Sequence, residues 1–377
     1  MKILTETTEF TKFKGIPKYT VELAQRLLKN NDVHLLTSKY TFQELTGLTV
    51  HQTPAFERPP FLHVASTAIQ FSRKLKKIRE NEGIDIVHTQ GADSMYGDVI
   101  TMHSCHKAAV SQFKSERGTA YQILKTFEPL SNIVFQIEKK NMTGGRFKKI
   151  ITPSCGVKRE LIKLYGTPSE DIIPVPTGVD INAYHPRNRQ TYNEKIRSGL
   201  GISREDTILL LTGWEFKRKG LRYIVDALPA LPKDVKLLVV GGDDPTPYQV
   251  QASRLGVQDR LIFTGIVPEI RDYYAASDIF VFPTSYEAFS ASTLEAVATG
   301  LPILAANVNG TEELIEDGKN GFFIDYDGAD IAEKVGMVMD EGIKKMGEKA
   351  RKTSEDYSWD LITERIEKVY AEIIKPD

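Results

Sequence analysis

The stretch that decides the fold reads Phe282-Pro283-Thr284-Ser285-Tyr286-Glu287-Ala288-Phe289-Ser290-Ala291-Ser292-Thr293-Leu294-Glu295-Ala296. It starts at the end of the apolar run Ile279–Pro283, which predicts a strand buried on both faces of a parallel sheet. A short loop carries Glu287, and a helix is predicted to begin near Ser290 to Ser292. Small residues at a helix start leave backbone N–H groups accessible, and these groups attract phosphate together with the helix dipole. The stretch therefore predicts a strand, a loop and an anion-binding helix start.

The two glutamates of this stretch, Glu287 and Glu295, are eight residues apart. In a continuous helix that spacing separates them by roughly 12 Å, whereas the paired carboxyls of glycosidases lie about 5–9.5 Å apart. The spacing therefore favours two carboxylates that hold two parts of one ligand over a hydrolytic pair. A polar loop beside an ordinary helix-face glutamate is the alternative that the residues leave open.

A second candidate anion site lies earlier in the chain, where Lys217, Arg218 and Lys219 follow a predicted strand and precede Gly220. Consecutive cations at the mouth of a cleft bind phosphate groups well. A positive charge aimed at a leaving diphosphate helps most where negative charge develops. The alternative is an ordinary solvated charge run.

Strand-like and helix-like segments alternate along the whole chain, which indicates the α/β class. The first strand is predicted at the N-terminus, and the others at Asp32–Thr37, Ile84–His88, Asp98–Met102, Lys149–Pro153, Ile172–Pro176, Thr207–Thr212, Val235–Val240, Leu261–Thr264, Ile279–Pro283, Leu301–Ala305 and Gly321–Ile324. Predicted helices include Pro17–Asn30, Gly220–Leu231, Ser292–Thr299 and Trp359–Ile374.

The strands form two sets separated by the polar stretch 182–203. We expect two Rossmann-like domains that face each other across a cleft, with loops from both lining it. The first would comprise residues 1–183 with the C-terminal helix 358–377, and the second residues 184–357. A length of 377 residues, with 41% apolar and 26% charged residues, agrees with two globular domains.

Composition also predicts the compartment. No window approaches 18 consecutive apolar residues, so no transmembrane helix is predicted, and the early polar residues predict a strand rather than a signal peptide. Cys105 and Cys155 lack the pattern of a disulfide framework or a zinc site, which favours the cytoplasm.

Residues 1–183 hold 25 Lys and Arg against 18 Asp and Glu (+7), and residues 184–377 hold 24 against 32 (−8). The basic first half is predicted to meet something anionic, unless the asymmetry is chance.

Taken together, these stretches resemble glycosyltransferase family 4, the retaining group with the GT-B fold. Glu287 and Glu295 match the family's Glu-x7-Glu signature, and Phe216–Gly220 resembles its Arg-Lys-Gly phosphate loop. Further matches follow in the family's order: Gly178-Val179-Asp180, Gly241-Gly242, Asp259–Gly265, Ala276-Ser277-Asp278, Gly300-Leu301-Pro302 and Asn309–Glu313. The resemblance is dense over 205–325 and thinner before it, so it indicates fold and reaction class but not the substrate.

The resemblance implies a role for each matching residue. Lys219, with Arg218, would bind the donor diphosphate, and Glu295 would bind the ribose hydroxyls. Glu287 would contact the transferred sugar and take part in catalysis. The departing phosphate would help to deprotonate the acceptor, so neither a metal nor another cofactor is expected. Phosphate and sugar would also be capped by the backbone amides of Phe289, Ser290, Ala291 and Ser292.

The chain departs from the family pattern at three places. Trp214 stands where the family often has Arg, so Arg218 would have to substitute for it. Ala288 and Ser290 replace the two glycines of Gly-Phe-Gly, which narrows the room for a close backbone approach. Thr177 replaces the usual Asn.

In the first half, Gly15 matches one of the family's paired glycines, and Lys14 stands in place of the other. Gly15 is therefore a candidate donor-binding residue, although a glycine before a helix is usually a turn.

The resemblance places His103 near the anomeric carbon of the donor as a catalytic candidate; a strand-end histidine satisfied by the backbone is the alternative. His88 is a weaker candidate with a structural alternative, and His106 is only a candidate acceptor contact.

No metal site is predicted. Asp243-Asp244 looks like a metal pair, but it precedes Pro245 and is interpreted as turn chemistry. Nucleic-acid binding is not expected because no recognition module is visible.

The predicted partners are a nucleotide-sugar donor, most commonly UDP-linked, and a lipid or glycan acceptor. Residues 60–80 combine apolar and basic side chains, a pattern typical of helices at an anionic membrane surface. Lipopolysaccharide core glucosyltransferases, which the chain resembles, act there, so peripheral attachment at the inner face of the cytoplasmic membrane is a hypothesis. Ordinary helices with a core face and a solvent face are the alternative.

Two other function classes stay open. A sugar-nucleotide 2-epimerase of the same fold would turn over its donor without an acceptor, and a non-catalytic sensor would bind the donor without turnover. A Rossmann dehydrogenase is disfavoured because no Gly-x-Gly-x-x-Gly follows a strand with an acidic residue about 20 positions later.

Overall fold

The computed structural model describes residues 1–12, 15–42, 44–54, 59–115 and 128–374. Tertiary contacts divide the chain into two units: unit 1 comprises Met1–Thr177 with Trp359–Asp377, and unit 2 comprises Gly178–Ser358. Each unit is an all-parallel sheet with helices, so the prediction of two Rossmann-like α/β units is confirmed.

Unit 1 contains a seven-stranded sheet with the order β3-β2-β1-β4-β5-β6-β7. Its strands are β1 Lys2–Phe10, β2 Asp32–Tyr40, β3 Thr49–Gln52, β4 Ile86–Gln90, β5 Val99–Thr101, β6 Lys149–Thr152 and β7 Ile172–Pro174. Its described helices are α1 Gly15–Leu27, α2 Pro60–Glu82, α3 His106–Ser115, α4 Pro129–Thr143 and α5 Cys155–Tyr165, with the C-terminal helix Trp359–Ile374.

Unit 2 contains a six-stranded sheet with the order β10-β9-β8-β11-β12-β13. Its strands are β8 Thr207–Thr212, β9 Val235–Val240, β10 Leu261–Gly265, β11 Ile279–Phe282, β12 Ile303–Ala305 and β13 Gly321–Phe323. Its helices are α6 Asn188–Gly199, α7 Leu221–Ala227, α8 Thr246–Arg254, α9 Ile270–Ala275, α10 Ala291–Thr299, α11 Thr311–Leu314, α12 Gly328–Glu341 and α13 Ile343–Ser354; the C-terminal helix of unit 1 is then α14.

In unit 2, burial on both faces of the sheet explains why the strands are mainly apolar. Successive side chains of a strand point to opposite faces, and in β8 Leu209 and Leu211 join one core layer while Ile208 and Leu210 join the other. A strand covered by helices on both faces is therefore apolar at most positions. The same division occurs in unit 1, where Ile3 and Leu4 of β1 belong to different clusters.

The structure differs from the predicted elements in three places. The first strand extends to Phe10, and β3 was not predicted because its four residues, Thr49–Gln52, are only partly buried or exposed. The polar stretch 182–203 contains helix α6. That helix is anchored by Arg197, which is buried and donates to Asp278 Oδ2 at 2.6 Å and to the Ala276 carbonyl at 2.9 Å.

Helix α14 packs within unit 1, where Trp359, Ile366 and Tyr370 join the core formed by α1 and β1. Within the described residues, none of the helices combines the length and apolar character required to cross a bilayer.

Candidate functional site

The candidate site of unit 2 lies where the strand order reverses, between the adjacent strands β8 and β11. In open parallel sheets, ligands bind at the carboxyl ends of the strands at this switch point. The loop 213–220 follows β8, and the loop 283–290 follows β11. The two predicted anion-binding stretches are therefore brought to one edge of one sheet.

The two loops are in backbone contact. The Ser285 N–H donates to the Arg218 carbonyl at 3.0 Å. Gly220 has φ +72°, and a Cβ added there would lie 2.1 Å from the Pro283 carbonyl oxygen. Only glycine fits this position, because it combines a left-handed backbone with an approach that excludes any side chain.

Lys219 lies inside this edge of the sheet. Its side chain is buried, and its Nζ lies 4.4 Å from the centroid of the Phe282 ring. A Cβ at Gly213 would approach Nζ to 2.8 Å, so this glycine makes room for the ammonium group. Burial lowers the pKa of Lys219 to about 8, and the nearby Glu287 carboxylate opposes that shift. Lys219 is thus still mainly charged at pH 7, in surroundings that strengthen its attraction for an anion.

Arg218 makes its strongest described contacts with two carboxylates. Nη1 donates to Glu287 Oε1 at 2.8 Å and to the Tyr286 carbonyl at 2.6 Å, while Nε donates to Glu215 Oε2 at 2.9 Å. Burial opposes the charge of Arg218, but the two carboxylates outweigh it and raise its pKa. Arg218 therefore fixes the orientation of Glu287. From the sequence, Arg218 was expected to bind the diphosphate, and its contact with Glu287 was not expected.

The helix predicted to begin near Ser290 to Ser292 is α10, and Ser290 is its N-cap. Ser290 Oγ accepts from the Thr293 N–H at 3.1 Å and from Thr293 Oγ1 at 2.7 Å. The serine that replaces the family's second glycine is thus a capping residue. The next residues, Ala291 and Ser292, occupy the first turn, where backbone N–H groups have no intrahelical partner.

Phe289 is buried just before α10 and positions its start. Its ring lies 5.9 Å from that of Tyr357, and its Cα is so close to Gly310 that a Cβ there would lie 2.6 Å away. Phe289 is therefore a packing residue whose backbone, rather than its side chain, is available to the site.

Glu295 is the fifth residue of α10, just after its first turn. The Tyr274 hydroxyl lies 3.2 Å from Glu295 Oε2, 2.9 Å from Thr212 Oγ1 and 3.1 Å from the Ser292 carbonyl. Burial, followed by Glu295, raises the pKa values of Tyr274 and Tyr184, so both tyrosines are neutral hydrogen-bonding groups beside this carboxylate. Neither tyrosine was expected from the sequence, because both lie on segments without a motif.

The aspartate pair Asp243-Asp244 organises the neighbouring loops. Asp243 Oδ2 accepts from the Phe216 N–H at 2.8 Å, and Asp244 Oδ1 accepts from the Thr246 N–H at 3.0 Å. The first contact joins the loops after β8 and β9, and the second is a local turn contact. Within the described residues, no group of three or more His, Cys, Asp or Glu side chains is arranged to hold a metal ion.

In unit 1, His103 follows β5 at the carboxyl edge of the sheet. Its Nε2 lies 2.9 Å from Gln90 Oε1, and its ring lies 4.9 Å from that of Tyr19. With the Gln90 amide so oriented, Nε2 carries the proton and Nδ1 is an acceptor. Burial lowers the pKa of His103 to about 4, so its ring is neutral at pH 7.

The other two candidate histidines have protein partners. His88 is fully buried between the Tyr370 hydroxyl, 2.6 Å from Nδ1, and Thr101 Oγ1, 2.7 Å from Nε2. Burial and then His103 lower its pKa to about 3. His106 Nε2 lies 3.0 Å from Ser131 Oγ. The contacts of His88 support its structural alternative.

A buried acid near His103 was not expected from the sequence. Glu6 is fully buried, and its Oε1 accepts from the Gln90 N–H at 2.9 Å. Burial and then the nearby Asp93 raise the pKa of Glu6 well above its usual value, and burial raises that of Asp93 to about 6. Gln90 therefore connects a buried carboxyl, whose pKa is raised, to the candidate catalytic histidine.

Gly15 is the exposed first residue of α1, and a Cβ there would meet nothing within 4 Å among the described atoms. Sterics alone therefore do not require glycine. Its neighbours Phe13 and Lys14 lie outside the described residues.

The chain is similar to known glycosyltransferases along most of its length. A family model described as Glycosyltransferase Family 4 matches residues 13–183, and one described as Glycosyl transferases group 1 matches residues 205–341. The chain is 25% identical to an uncharacterised glycosyltransferase of Methanocaldococcus jannaschii over 98% of both chains. It is 27% identical to the lipopolysaccharide glucosyltransferase WaaG of Escherichia coli over 58% of each.

Two solved structures have the same fold. The crystal structure of WaaG, a glycosyltransferase involved in lipopolysaccharide biosynthesis, superposes with a TM-score of 0.77 over 100% of both chains at 21% identity. HepE of Anabaena, in complex with UDP and glucose, superposes with a TM-score of 0.73 over 99% of this chain and 100% of that one at 18% identity.

Proposed function

Because the chain is a glycosyltransferase that belongs to family 4, we propose that it transfers a hexose from a nucleoside diphosphate sugar to an acceptor hydroxyl, with retention of the anomeric configuration. The observation that carries the proposal is the single edge of unit 2 that holds Lys219, Glu287 and the first turn of α10. A buried cation and an open helix start suit a diphosphate. Neighbouring carboxylates suit the hydroxyls of a sugar and a ribose.

Most of the predicted site residues have a place in this proposal. Lys219 would neutralise the leaving diphosphate, and the amides of Ala291 and Ser292 would bind its oxygens. Glu287, oriented by Arg218, would accept hydrogen bonds from the sugar, and Glu295, oriented by Tyr274, from the ribose. These interactions would stabilise the charge that develops as the glycosidic bond breaks.

UDP is the donor nucleotide that we propose, since HepE, which shares the fold, binds UDP and glucose. His103 in unit 1 would act as a neutral hydrogen-bonding group toward the sugar, because its lowered pKa keeps it uncharged at neutral pH. No metal or other cofactor enters the proposal. The acceptor would be a lipid or a glycan, as in the lipopolysaccharide pathway of WaaG.

The test begins with a thermal-shift panel of nucleotide sugars, followed by transfer and donor-hydrolysis assays with the donor that binds. We expect Lys219→Ala to lower donor affinity and kcat/KM by about 100-fold, as for the loss of one charge-stabilising group. Lys217→Ala is the matched control: its side chain is exposed, so solvent screens its charge and less than threefold change is expected. Equal donor affinity and rate in Lys219→Ala and wild type would refute the diphosphate assignment.

Glu287→Gln separates sugar contact from nucleotide binding. We expect transfer to fall by about 100-fold while the affinity for the free nucleoside diphosphate stays within about threefold, because the amide keeps the shape and loses the charge. A donor consumed to its 2-epimer without an acceptor would instead favour the epimerase. Donor binding without transfer, hydrolysis or epimerisation would favour the sensor.

A peripheral membrane role is favoured by the surface of α2. Leu62 and Ile69 are 49% and 44% exposed and lie on one helix face, since seven residues are about two turns. Exposed basic residues, Arg73, Lys74, Lys76 and Lys77, continue the helix. This combination suits an anionic lipid surface at the inner face of the cytoplasmic membrane. Sedimentation with anionic vesicles at low salt should pellet the wild type and not Leu62→Ser/Ile69→Ser; a wild type left wholly in the supernatant would refute the membrane role.

A further inference from the structure

Unit 2 exposes two large apolar side chains next to each other. Trp214 is 56% exposed. Ile266 is 73% exposed, which is the largest exposed fraction among the large apolar residues of the described chain. Gly242 lies between them: a Cβ built there would be 2.6 Å from Trp214 Cη2 and 2.7 Å from Ile266 Cγ1. Both side chains therefore lie against one bare stretch of backbone, and any side chain at position 242 would separate them.

The three residues follow three neighbouring strands. Trp214 comes two residues after β8, Gly242 two residues after β9 and Ile266 one residue after β10, in a sheet where these strands are adjacent. The Gly241 N–H donates to the Gly265 carbonyl at 3.1 Å, and the Gly213 N–H donates to the Val240 carbonyl at 2.8 Å. With strands about 4.8 Å apart, the apolar surface covers roughly 10 Å of the carboxyl edge, beside the switch point.

The backbone is distorted to present Trp214 outward. Gly213 has φ +111°, and Glu215 has φ +60°, the one positive φ among the described non-glycine residues. Such conformations persist where the surrounding structure imposes them, often at ligand sites. The indole makes no ring stacking or cation–π contact with another described residue. A Trp held in this way leaves its apolar face available to a flat partner.

We propose that Trp214 and Ile266, on either side of Gly242, form a stacking platform for the nucleobase of the donor. The inference rests on the proposed function, because Lys219 in the same loop would anchor the diphosphate and thereby bring the base to this edge. Aromatic side chains stack on any base, since every base has a π face. Trp214 would thus bind the base at a position where glycosyltransferase family 4 often has Arg.

If the platform binds the nucleobase, nucleotide binding should change the fluorescence of Trp214. It has only two tryptophans, and the other, Trp359, is buried in unit 1 with 4% exposure. In a Trp359→Phe variant, emission comes from Trp214 alone. Titration with UDP, ADP and GDP should quench this emission for the nucleotide that binds, and saturating inorganic pyrophosphate should not.

If Trp359→Phe does not fold, acrylamide quenching of the wild type provides the same readout. Acrylamide should quench only the exposed Trp214, and a bound nucleoside diphosphate should protect it. Pyrophosphate should give no protection, because it can bind at Lys219 but has no base.

Affinity measurements by calorimetry complete the test. Trp214→Ala should weaken nucleoside diphosphate binding by about 5- to 100-fold, the range measured for base–aromatic stacking. Trp214→Phe should recover most of that loss, and pyrophosphate affinity should be the same in both. Val250→Ala, at an exposed apolar residue of α8 outside the site, should bind like the wild type.

Three outcomes would overturn the platform. If the nucleotide binds with calorimetric saturation but Trp214 is neither quenched nor protected, the base lies elsewhere while the proposed function stands. If an acceptor analogue quenches Trp214 and nucleotides do not, the surface belongs to the acceptor. If no nucleotide or nucleotide sugar binds at all, the platform and the proposed function fall together.

Discussion

The two units have sheets of the same central order, yet the switch points of these sheets carry different chemistry. In unit 2, the loops after β8 and β11 bring together charged groups: Lys219, Arg218 and Glu287. In unit 1, the two histidines near the ends of β4 and β5 are neutral at pH 7. Burial lowers the pKa values of His88 and His103 and raises that of Glu6.

This difference separates what the fold provides from what the residues provide. The parallel sheet fixes where a ligand can bind, since loops meet at the carboxyl ends of its central strands. The side chains determine which ligand that is. A charged cluster suits a diphosphate, whereas neutral donors and acceptors suit hydroxyl groups, for which a charge gives no advantage.

A glycine in each unit gives the largest contrast. Gly220 in unit 2 and Gly166 in unit 1 have φ +72° and +67°, but only at Gly220 does an added Cβ meet another atom, the Pro283 carbonyl oxygen at 2.1 Å. Gly166→Ala should cost about 1 kcal/mol for the left-handed backbone. Gly220→Ala should cost about 3 kcal/mol or more and abolish donor binding, because the two loops must separate. Urea unfolding and donor titration measure both effects; similar losses in the two variants would contradict the tight contact.

Acid should affect unit 1 through His88. A histidine whose pKa is lowered by folding stabilises the protein fully above about pH 6.5 and loses that contribution as pH falls toward 3. Between pH 8 and pH 5 the loss should be about 2 kcal/mol. Glu6 and Asp93, with raised pKa values, act in the opposite direction, so the measure is the difference between wild type and His88→Gln.

Trp359 emission in a Trp214→Phe background reports this transition for unit 1. The free energy of unfolding of His88→Gln should change less steeply on acidification than that of its parent. Parallel pH dependences in the two proteins would mean that His88 does not titrate on unfolding.

Alkali should affect unit 2 through Lys219. Because the pKa of this buried lysine is lowered to about 8, the free enzyme loses the positive charge of Lys219 above that pH. We expect kcat/KM for the donor to be flat below about pH 7, to fall by about half at pH 8 and to be about tenfold lower at pH 9. Lys219→Arg should have a lower plateau without the alkaline decrease, since arginine stays protonated. An alkaline decrease of equal size in Lys219→Arg would assign the titration to another group.

Two buried tyrosines give the smallest and most specific contrast. Tyr274 in unit 2 contacts Glu295, and Tyr370 in unit 1 contacts His88. Replacing either by Phe should cost about 1 kcal/mol of stability, the usual loss for one hydrogen bond. Only Tyr274→Phe should also raise the donor KM, by about fivefold. Steady-state kinetics on both variants checks this; a raised donor KM in Tyr370→Phe alone would reverse the assignment of the two units.

The sequence by itself determined the fold class and most strands. The mainly apolar runs Thr207–Thr212 and Val235–Val240 are strands with the predicted bounds, because burial on both faces favours apolar residues at most positions. The candidate donor residues could also be named from sequence, since Lys219, Glu287 and Glu295 lie in local motifs around strand ends.

Tertiary structure decided what contacts these residues. The pairing of Arg218 with Glu287, the approach of Gly220 to Pro283 and the hydroxyl of Tyr274 beside Glu295 all join segments from separate strand–helix units. Their spacing along the chain has no period that a sequence pattern could reveal. The reversal of strand order between β8 and β11 brings them together, and the burial that lowers the pKa of Lys219 exists only once the sheet and its helices are packed.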